Sequence, residues 1–574
     1  MTTPDRSDRR ARAVFWILSA VGAVSLVWRG RPQWFAFDDW TLLIARRHVW
    51  ETDGLVDFLL LPHNEHMLPG LTLWDIGLAS IFGIDSYLPW TLTIVAVFVF
   101  TAVVLRRVMA AIDVPPLLAA AWAPVVMVWA DFGGALTWAP ETVFVLYLAL
   151  GLAHLLLVVP DTVSHQKAAA GAALSAVAIL LHSGAALSSG VIVLVLVAAR
   201  RWRAAGWSCL PLGGYAVWLV TWGGRPPVAN AVLWQGADPA TAAGTTGWLP
   251  LTRAIAGQGF EFLAGPAGGA VWFAVVAGGI VLVWHSRSTA QGRILAALTG
   301  MSVLAVGAIV QSRSNIGSFV VSSPQSRYSV LVVLPLLPVV ALELYAIARW
   351  ITPRLGGDRA RARHALVLLA TGSFAVAVAV HTTRDTKNTQ ISFAVRRTMA
   401  AIASTPSTRD SRPDVAVMPV KFDLGVGGVW SLIDWGWYDP EPTTDSVALL
   451  TTQVRFLVTG GVRRPDDEPV TLRPDDRVEG TDDGDGCVTL IPRAESNRTL
   501  IIREPGPAFL LITEGAENVE LQARRDDHRS EWNRLTLDPT TSDIRILSDP
   551  DVDLSIRLSG PATFCETSIQ TTSG

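Results

Sequence analysis

The chain has 574 residues, 51% hydrophobic and only 17% charged, with a mean hydropathy of +0.39, which excludes an ordinary water-soluble enzyme. Its formal net charge of −3 hides an asymmetry: residues 1–381 carry 25 basic and 18 acidic side chains, residues 382–574 carry 21 and 31. The basic residues stand singly or in twos and threes beside apolar runs, so there is no continuous basic stripe, and nucleic acid is excluded as a partner.

In chain order, the first half is a series of apolar segments long enough to cross ~30 Å of hydrocarbon. Eleven are read, at 14–28, 86–105, 114–130, 140–159, 167–182, 184–199, 208–223, 268–284, 293–311, 328–348 and 364–381. The pair 167–199, broken around His182, Ser183 and Gly184, also reads as one long tilted helix, which changes the parity. Because positive residues resist export, orientation follows from the short loops. With a cytoplasmic N-terminus the inside loops hold Arg6 to Arg12, Arg106 and Arg107, Lys167, Arg200, Arg201 and Arg203, Arg287 and Arg293, and Arg349 through Arg363. Eleven spans then leave the tail outside, and the chain reads as a multi-pass plasma-membrane protein in contact with membrane lipids. The first span is expected to be an uncleaved anchor, since ten more follow.

The first outside loop, residues 29–68, concentrates polar chemistry. Asp38 and Asp39 are adjacent between Phe37 and Trp40, and a second cluster follows at His63, Asn64, Glu65 and His66. Two carboxylates beside aromatic rings, with a His/Glu cluster further on, can supply a general base and a charged group that positions substrate. The same residues also read as a helix cap and a solvated turn. The His/Glu spacing does not match a zinc site, so metal binding stays open. After Pro69 the run LTLWDIGLASIFG reads as a helix lying in the interface plane. Glu141 follows Trp138, Ala139 and Pro140 at the start of the fourth span, and Arg327 and Tyr328 open the tenth. Taken singly, Glu141 is also a helix-dipole partner, Arg327 an interface anchor and His182 a core histidine.

In that order, a basic N-terminus, one span, an acidic pair, a polar cluster before Pro, an interfacial helix and a span closing in Arg106 and Arg107, the chain resembles the polytopic GT-C glycosyltransferases. That group includes protein O-mannosyltransferases and lipid A aminoarabinose transferases. The resemblance covers roughly residues 10–350. Glu141 resembles the family's second-loop acid, usually Asp. Gly171 to Leu187 resembles its broken re-entrant helical pair, where many members have Lys near the position of His182. Arg327 and Tyr328 resemble the late Arg-Tyr near the donor phosphate. The family's His-Pro-Pro is HNEHMLP here.

The resemblance implies a GT-C-like membrane fold and a donor sugar linked by phosphate to a polyprenyl lipid. It also implies that a first-loop Asp, either Asp38 or Asp39, activates the acceptor hydroxyl. Glu65 or Glu141 would position the acceptor or hold a divalent cation, Arg327 would neutralise the leaving phosphate, and His63, His66 and Tyr328 complete the substrate-binding set. No further cofactor is implied, and the acceptor is an extracytoplasmic glycan, lipid or protein. The alternative is a non-catalytic transporter or flippase of lipid-linked envelope precursors, which needs charged groups midway along spans; Glu343 is the main one here.

Most of the 23 tryptophans read as an interfacial belt, although Trp34, Trp40, Trp234 and Trp248 also suit stacking on sugar rings. The long loop from Arg225 to Gly269 reads as a cover over a site or a passive connector. Residues 382–412 read as an amphipathic helix and linker. Residues 413–574 read as an extracytoplasmic β-rich domain, a sandwich or jelly roll, from short strand-like runs at spacings near ten residues. This tail resembles the carbohydrate-binding-like tails of actinobacterial arabinosyltransferases, and the aromatics of Val429 to Pro440 suit either glycan contact or packing. Cys487 and Cys565 fit a disulfide in an oxidising compartment, and the Asp runs at 466–467, 475–476 and 482–485 read as solvated turns.

Overall fold

A computed structural model describes residues 6–36, 38–63, 66–225, 252, 254–257, 260–264, 267–313, 326–354, 359–383, 387–404, 426–440 and ten strand segments between 479 and 565. The described part is mostly helical, and the chain divides into two compact units, Met1–Gln390 and Ile391–Gly574.

The first unit begins with α1 (Arg6–Gly30), α2 (Asp38–Trp40), α3 (Arg46–Thr52), α4 (Leu55–Leu60) and α5 (Pro69–Phe82). It continues through α6 (Leu88–Ala111), α7 (Pro116–Trp122), α8 (Ala139–Val158), α9 (His165–Leu181), α10 (Ala185–Ala198) and α11 (Trp202–Thr221). Further along come α12 (Gly268–Ser286), α13 (Ala290–Arg313), α14 (Ser326–Val333), α15 (Leu337–Arg354) and α16 (Arg359–Thr383). Proline stands in the first turn of α5, α6, α7 and α8, where its missing N–H costs nothing and its fixed φ suits the helix. Ser164 caps α9, its hydroxyl accepting from the Lys167 N–H at 3.3 Å.

Among the described residues six helical segments are long and apolar enough to cross a membrane: most of α1, α6, α8, α12, most of α13, and Tyr328–Thr352 across α14 and α15. A bent pair makes a seventh if counted as one span. It is the segment expected at 114–130, where Pro116–Val128 and Ala130–Leu136 meet at 61°. Pro124 removes a donor from the helical ladder and Trp129, between the two pieces, takes extended backbone (ψ 108°), so the chain turns there instead of running straight. With 17 and 14 residues, α9 and α10 rise about 26 and 21 Å, short of the ~30 Å hydrocarbon core. Of the two readings of 167–199, the broken pair is the one present. The expected segment at 208–223 lies in α11, interrupted by Pro211, and the apolar part of α16 is the short stretch His364–Ala379.

Loops expected on one side of the membrane are bonded to one another. Gln291 in the first turn of α13 donates to the Ile112 carbonyl after α6 at 3.0 Å. Asp161 after α8 accepts from Arg201 before α11 at 2.8 Å and from Arg293 of α13 at 2.5 Å, and Arg293 also reaches the Val159 carbonyl. Two of the arginines that set the sequence orientation, Arg201 and Arg293, are therefore held together by a single acid, Asp161.

The helix α17 (Lys387–Ala403) straddles the division between the units, and α18 (Val426–Asp434) lies in the second. Val429, Leu432, Trp437 and Tyr438 are buried, which gives that part of the aromatic segment a packing role. Ten strands run β1 (Glu479–Asp482), β2 (Cys487–Ile491), β3 (Thr499–Ile502), β4 (Ala508–Ile512), β5 (Asn518–Arg525), β6 (His528–Arg529), β7 (Asn533–Thr536), β8 (Asp543–Leu547), β9 (Asp553–Leu558) and β10 (Ala562–Cys565). They pair antiparallel in two sheets, β1-β2-β10-β4-β8 and β3-β9-β5-β6, with β7 also on β5. Cys487 of β2 stands directly opposite Cys565 of β10 in register. Glu65, Trp234, Trp248, most of the Arg225–Gly269 loop, and the Asp runs apart from Asp482 lie outside the described residues.

Candidate functional site

A cavity of about 300 Å³ opens among the N-terminal loop, α8, the α9–α10 break, α13 and α14. Its polar wall contains Asp38, His63, His66, Glu141, His182 and Tyr328, brought together from five separate stretches of sequence. The lining also includes apolar side chains, Leu187, Ala305, Ala308, Ile309 and Leu331 among them.

The first loop folds in two steps. A short helix starts at Asp38, where carboxylates oppose the positive end of the helix dipole. It passes through a five-residue π turn, Thr41–Ala45, into α3. Successive helical residues point about 100° apart. Half-buried Asp38 therefore lines the cavity while Asp39, 1% exposed, turns into the protein. Asp39 Oδ2 accepts from the Ala36 N–H at 2.8 Å and from Trp138 Nε1 at 2.8 Å, which fixes the indole on the cavity wall. Burial pushes the Asp39 carboxyl well above the usual range, reinforced by the nearby charges of Asp75 and Asp38. Of the two acids left open by the sequence, Asp38 alone faces the cavity, and Asp39 belongs to its support.

Arg46 is fully buried, and burial pushes its guanidinium down to about 10. Nη1 and Nη2 donate to the carbonyls of Phe58 (3.0 Å) and Leu61 (2.7 Å), closing the C-terminal end of α4. That clamp fixes the run leading to His63. His63 and His66 exchange backbone hydrogen bonds of 2.8 and 2.9 Å, a one-bridge turn that puts both side chains at the cavity.

The α9–α10 break meets this turn. The Ser183 N–H donates to the Met67 carbonyl at 3.1 Å, and the Ser183 hydroxyl lies 3.2 Å from His66 Nδ1. His182 accepts from the Gly184 N–H on Nδ1 at 2.9 Å, so that nitrogen is unprotonated in this arrangement. Its ring stacks on Tyr147 (5.5 Å between centroids) and contacts His66 (4.4 Å) and Phe144 (4.5 Å). A Cβ at position 184 would stand 2.8 Å from His182 Nδ1 and 3.2 Å from the Tyr147 hydroxyl, so the close approach requires glycine.

Glu141, 7% exposed, sits in the first turn of α8 beside Pro140. Phe144 and Tyr147, which sequence reading did not single out, follow it on the same face at intervals of three, a spacing that would have found them. Tyr328, 6% exposed, reaches the cavity from α14. Arg327 precedes it in the same helix, and its side chain lies outside the described residues. Trp34 and Trp40 do not face the cavity: at 3% and 1% exposure they pack with Phe35, and Trp34 Nε1 donates to the Ile84 carbonyl at 2.7 Å. They are core residues and not sugar platforms. Among the described residues no group of three or more His, Cys, Asp or Glu side chains is arranged to hold a metal ion. Set against known proteins, the chain matches no family model and no curated sequence.

Proposed function

We propose that the protein is an integral-membrane glycosyltransferase that moves a sugar from a polyprenyl-phosphate donor to an extracytoplasmic glycan, lipid or protein. One observation carries the reading: Asp38, Glu141 and Tyr328, distant in sequence, line one cavity together with His63 and His66. Its lining combines these polar groups with apolar side chains, a mixture suited to a phosphosugar and the start of a lipid tail.

In this reaction Asp38 takes the proton from the acceptor hydroxyl as its oxygen attacks the anomeric carbon. The bond from that carbon to the donor phosphate oxygen breaks, and polyprenyl phosphate leaves with the electron pair. One displacement inverts the anomeric configuration. Phosphate is a good leaving group, so one base suffices, and the negative charge it carries away needs cationic or N–H neighbours. Arg327, by its resemblance, and the histidines supply that role; Glu141 orients the acceptor. A GT-C-like membrane domain with eleven spans and a cytoplasmic N-terminus would expose the cavity and the C-terminal strands, arranged as a β-sandwich, on the outer face of the plasma membrane. The Arg-bearing loops bonded together support that topology.

A transport reading draws on Glu343, which lies within the span Tyr328–Thr352 and fills the space beside Gly278 of α12. Purified full-length protein in lipid nanodiscs separates the two. Under the enzyme reading, Asp38→Asn abolishes sugar transfer while Glu343→Gln leaves it intact. Loss of lipid-precursor movement across vesicles in Glu343→Gln, with no transfer by wild type, favours transport.

A further inference from the structure

Behind the cavity wall lies a second set of ionisable groups to which the proposed chemistry gives no role. Asp75, in the middle of α5, is 1% exposed. Its Oδ1 accepts from Trp90 Nε1 at 2.9 Å, and its buried Oδ2 has no hydrogen-bond partner. Trp90 packs edge-on to Phe35 at 4.7 Å and stacks on Tyr87 at 5.8 Å. The Tyr87 hydroxyl accepts from the Ala139 N–H at 3.0 Å, one residue after Trp138, which donates to Asp39. Buried contacts thus run from Asp75 through Trp90, Tyr87 and the start of α8 to Asp39, tying α5, α6, α8 and α2 together.

The two carboxyls are not equivalent. Asp39 Oδ2 collects two N–H donors, which favour its ionised form. Asp75 has one donor and one bare oxygen, and a buried carboxylate oxygen without a donor is costly, more so beside a second negative charge. A proton on Oδ2 exchanges the cost of a bare buried charge for the smaller one of an unpaired hydroxyl. We propose that Asp75 is a positioning residue that stores a proton on Oδ2, so that Asp39 alone carries the pair's negative charge and holds Trp138, with Asp38 beside it, on the cavity wall.

Asp38 from α2 and Tyr87 beside the start of α6 are the other titratable groups facing the pair. The two N–H donors on Asp39 mark it as the member that stays ionised. Burial pushes both acids up, Asp39 well above its usual range under the added charge of Asp75 and Asp75 to about 7, so the pair retains a proton. Above that pH Asp75 ionises and repels Asp39, and the Asp39–Trp138 bond loosens. The proposal concerns the charge of the wall and stands whether or not the cavity transfers sugar.

Infrared spectra of the full-length protein in detergent test it, together with the indole N–H resonance of Trp138 in nanodiscs, assigned through Trp138→Phe. The wild-type spectrum minus that of Asp75→Asn should leave a buried carboxylic-acid carbonyl band at mildly acid pH that fades as pH passes about 7, with the Trp138 resonance of wild type moving in step. In Asp75→Asn, which keeps the Oδ1 acceptor for Trp90, the resonance should not move with pH. A wild-type Trp138 resonance indifferent to pH, or a difference spectrum without that band, overturns the proposal. If Asp75→Asn fails to fold, the wild-type Trp138 titration alone still decides it.

Discussion

Replacing Asp39 by Ala strips one acceptor from two buried donors, the Ala36 N–H and Trp138 Nε1, each 2.8 Å away. A buried donor left without a partner costs about 1–3 kcal/mol, so the two lose ~2–6 kcal/mol. Removing a buried acid next to Asp75 returns part of that, and a net destabilisation of about 2–4 kcal/mol is expected. Asp38 makes the opposite case. Being half-buried on the cavity, Asp38→Ala should shift stability by less than ~1 kcal/mol while lowering transfer ~100- to 10,000-fold if it is the general base. The assay is the unfolding midpoint of each variant in one detergent, followed by fluorescence-detected size exclusion, beside its turnover. Equal midpoints for Asp38→Ala and Asp39→Ala, or a destabilised Asp38→Ala, would refute the division of labour between the two acids.

Other variants test neighbouring links. Asp75 is raised from the usual 3.8 to about 7, so between these values the folded protein keeps a proton the unfolded chain has released. Stability should therefore fall as pH rises through that window and level off above it. The drop should be of order 4 kcal/mol, and Asp75→Asn should flatten it. Gly184→Ala forces a methyl group to 2.8 Å from His182 Nδ1 and should lose ~1–3 kcal/mol and most donor binding, whereas Gly190→Ala, with nothing within 4 Å, should lose neither. Arg46→Met should free the end of α4 and weaken ligand binding at His63 and His66 without touching the cavity directly, seen as a raised Kd with turnover at saturation unchanged. Because Cys487 and Cys565 are register partners, an exported tail should show one disulfide by intact mass, and its double Ser variant should lose up to ~4 kcal/mol of stability in that unit.

Several of these features are written in local chemistry. Proline in the first turn marks the starts of α5 to α8, and Gly184 after His182 and Ser183 marks a break that length alone leaves ambiguous. The convergence of Asp38, Glu141 and Tyr328 was also legible, because the first loop and the starts of the fourth and tenth spans are expected on the same side. What was not legible depends on partners far away in sequence. Asp38 and Asp39 are chemically identical neighbours, and only the indole of Trp138, 99 residues on, decides which one is buried. Asp75 looks like the polar face of an interfacial helix until Trp90 covers it. The segment 114–130 reads as a plain apolar span because its bend arises at single residues, Pro124 and Trp129, which hydropathy averages away.

The central claim is that Asp38 acts as a base on an acceptor at this cavity. It is tested most directly by incubating full-length protein in nanodiscs with a polyprenyl-phosphate sugar and a soluble glycan acceptor, then measuring released polyprenyl phosphate and the anomeric configuration of the product. Wild type should release polyprenyl phosphate and form the inverted linkage, and Asp38→Asn should bind the donor with unchanged affinity yet release none. Release by Asp38→Asn at the wild-type rate, or a product of retained configuration, would contradict the account.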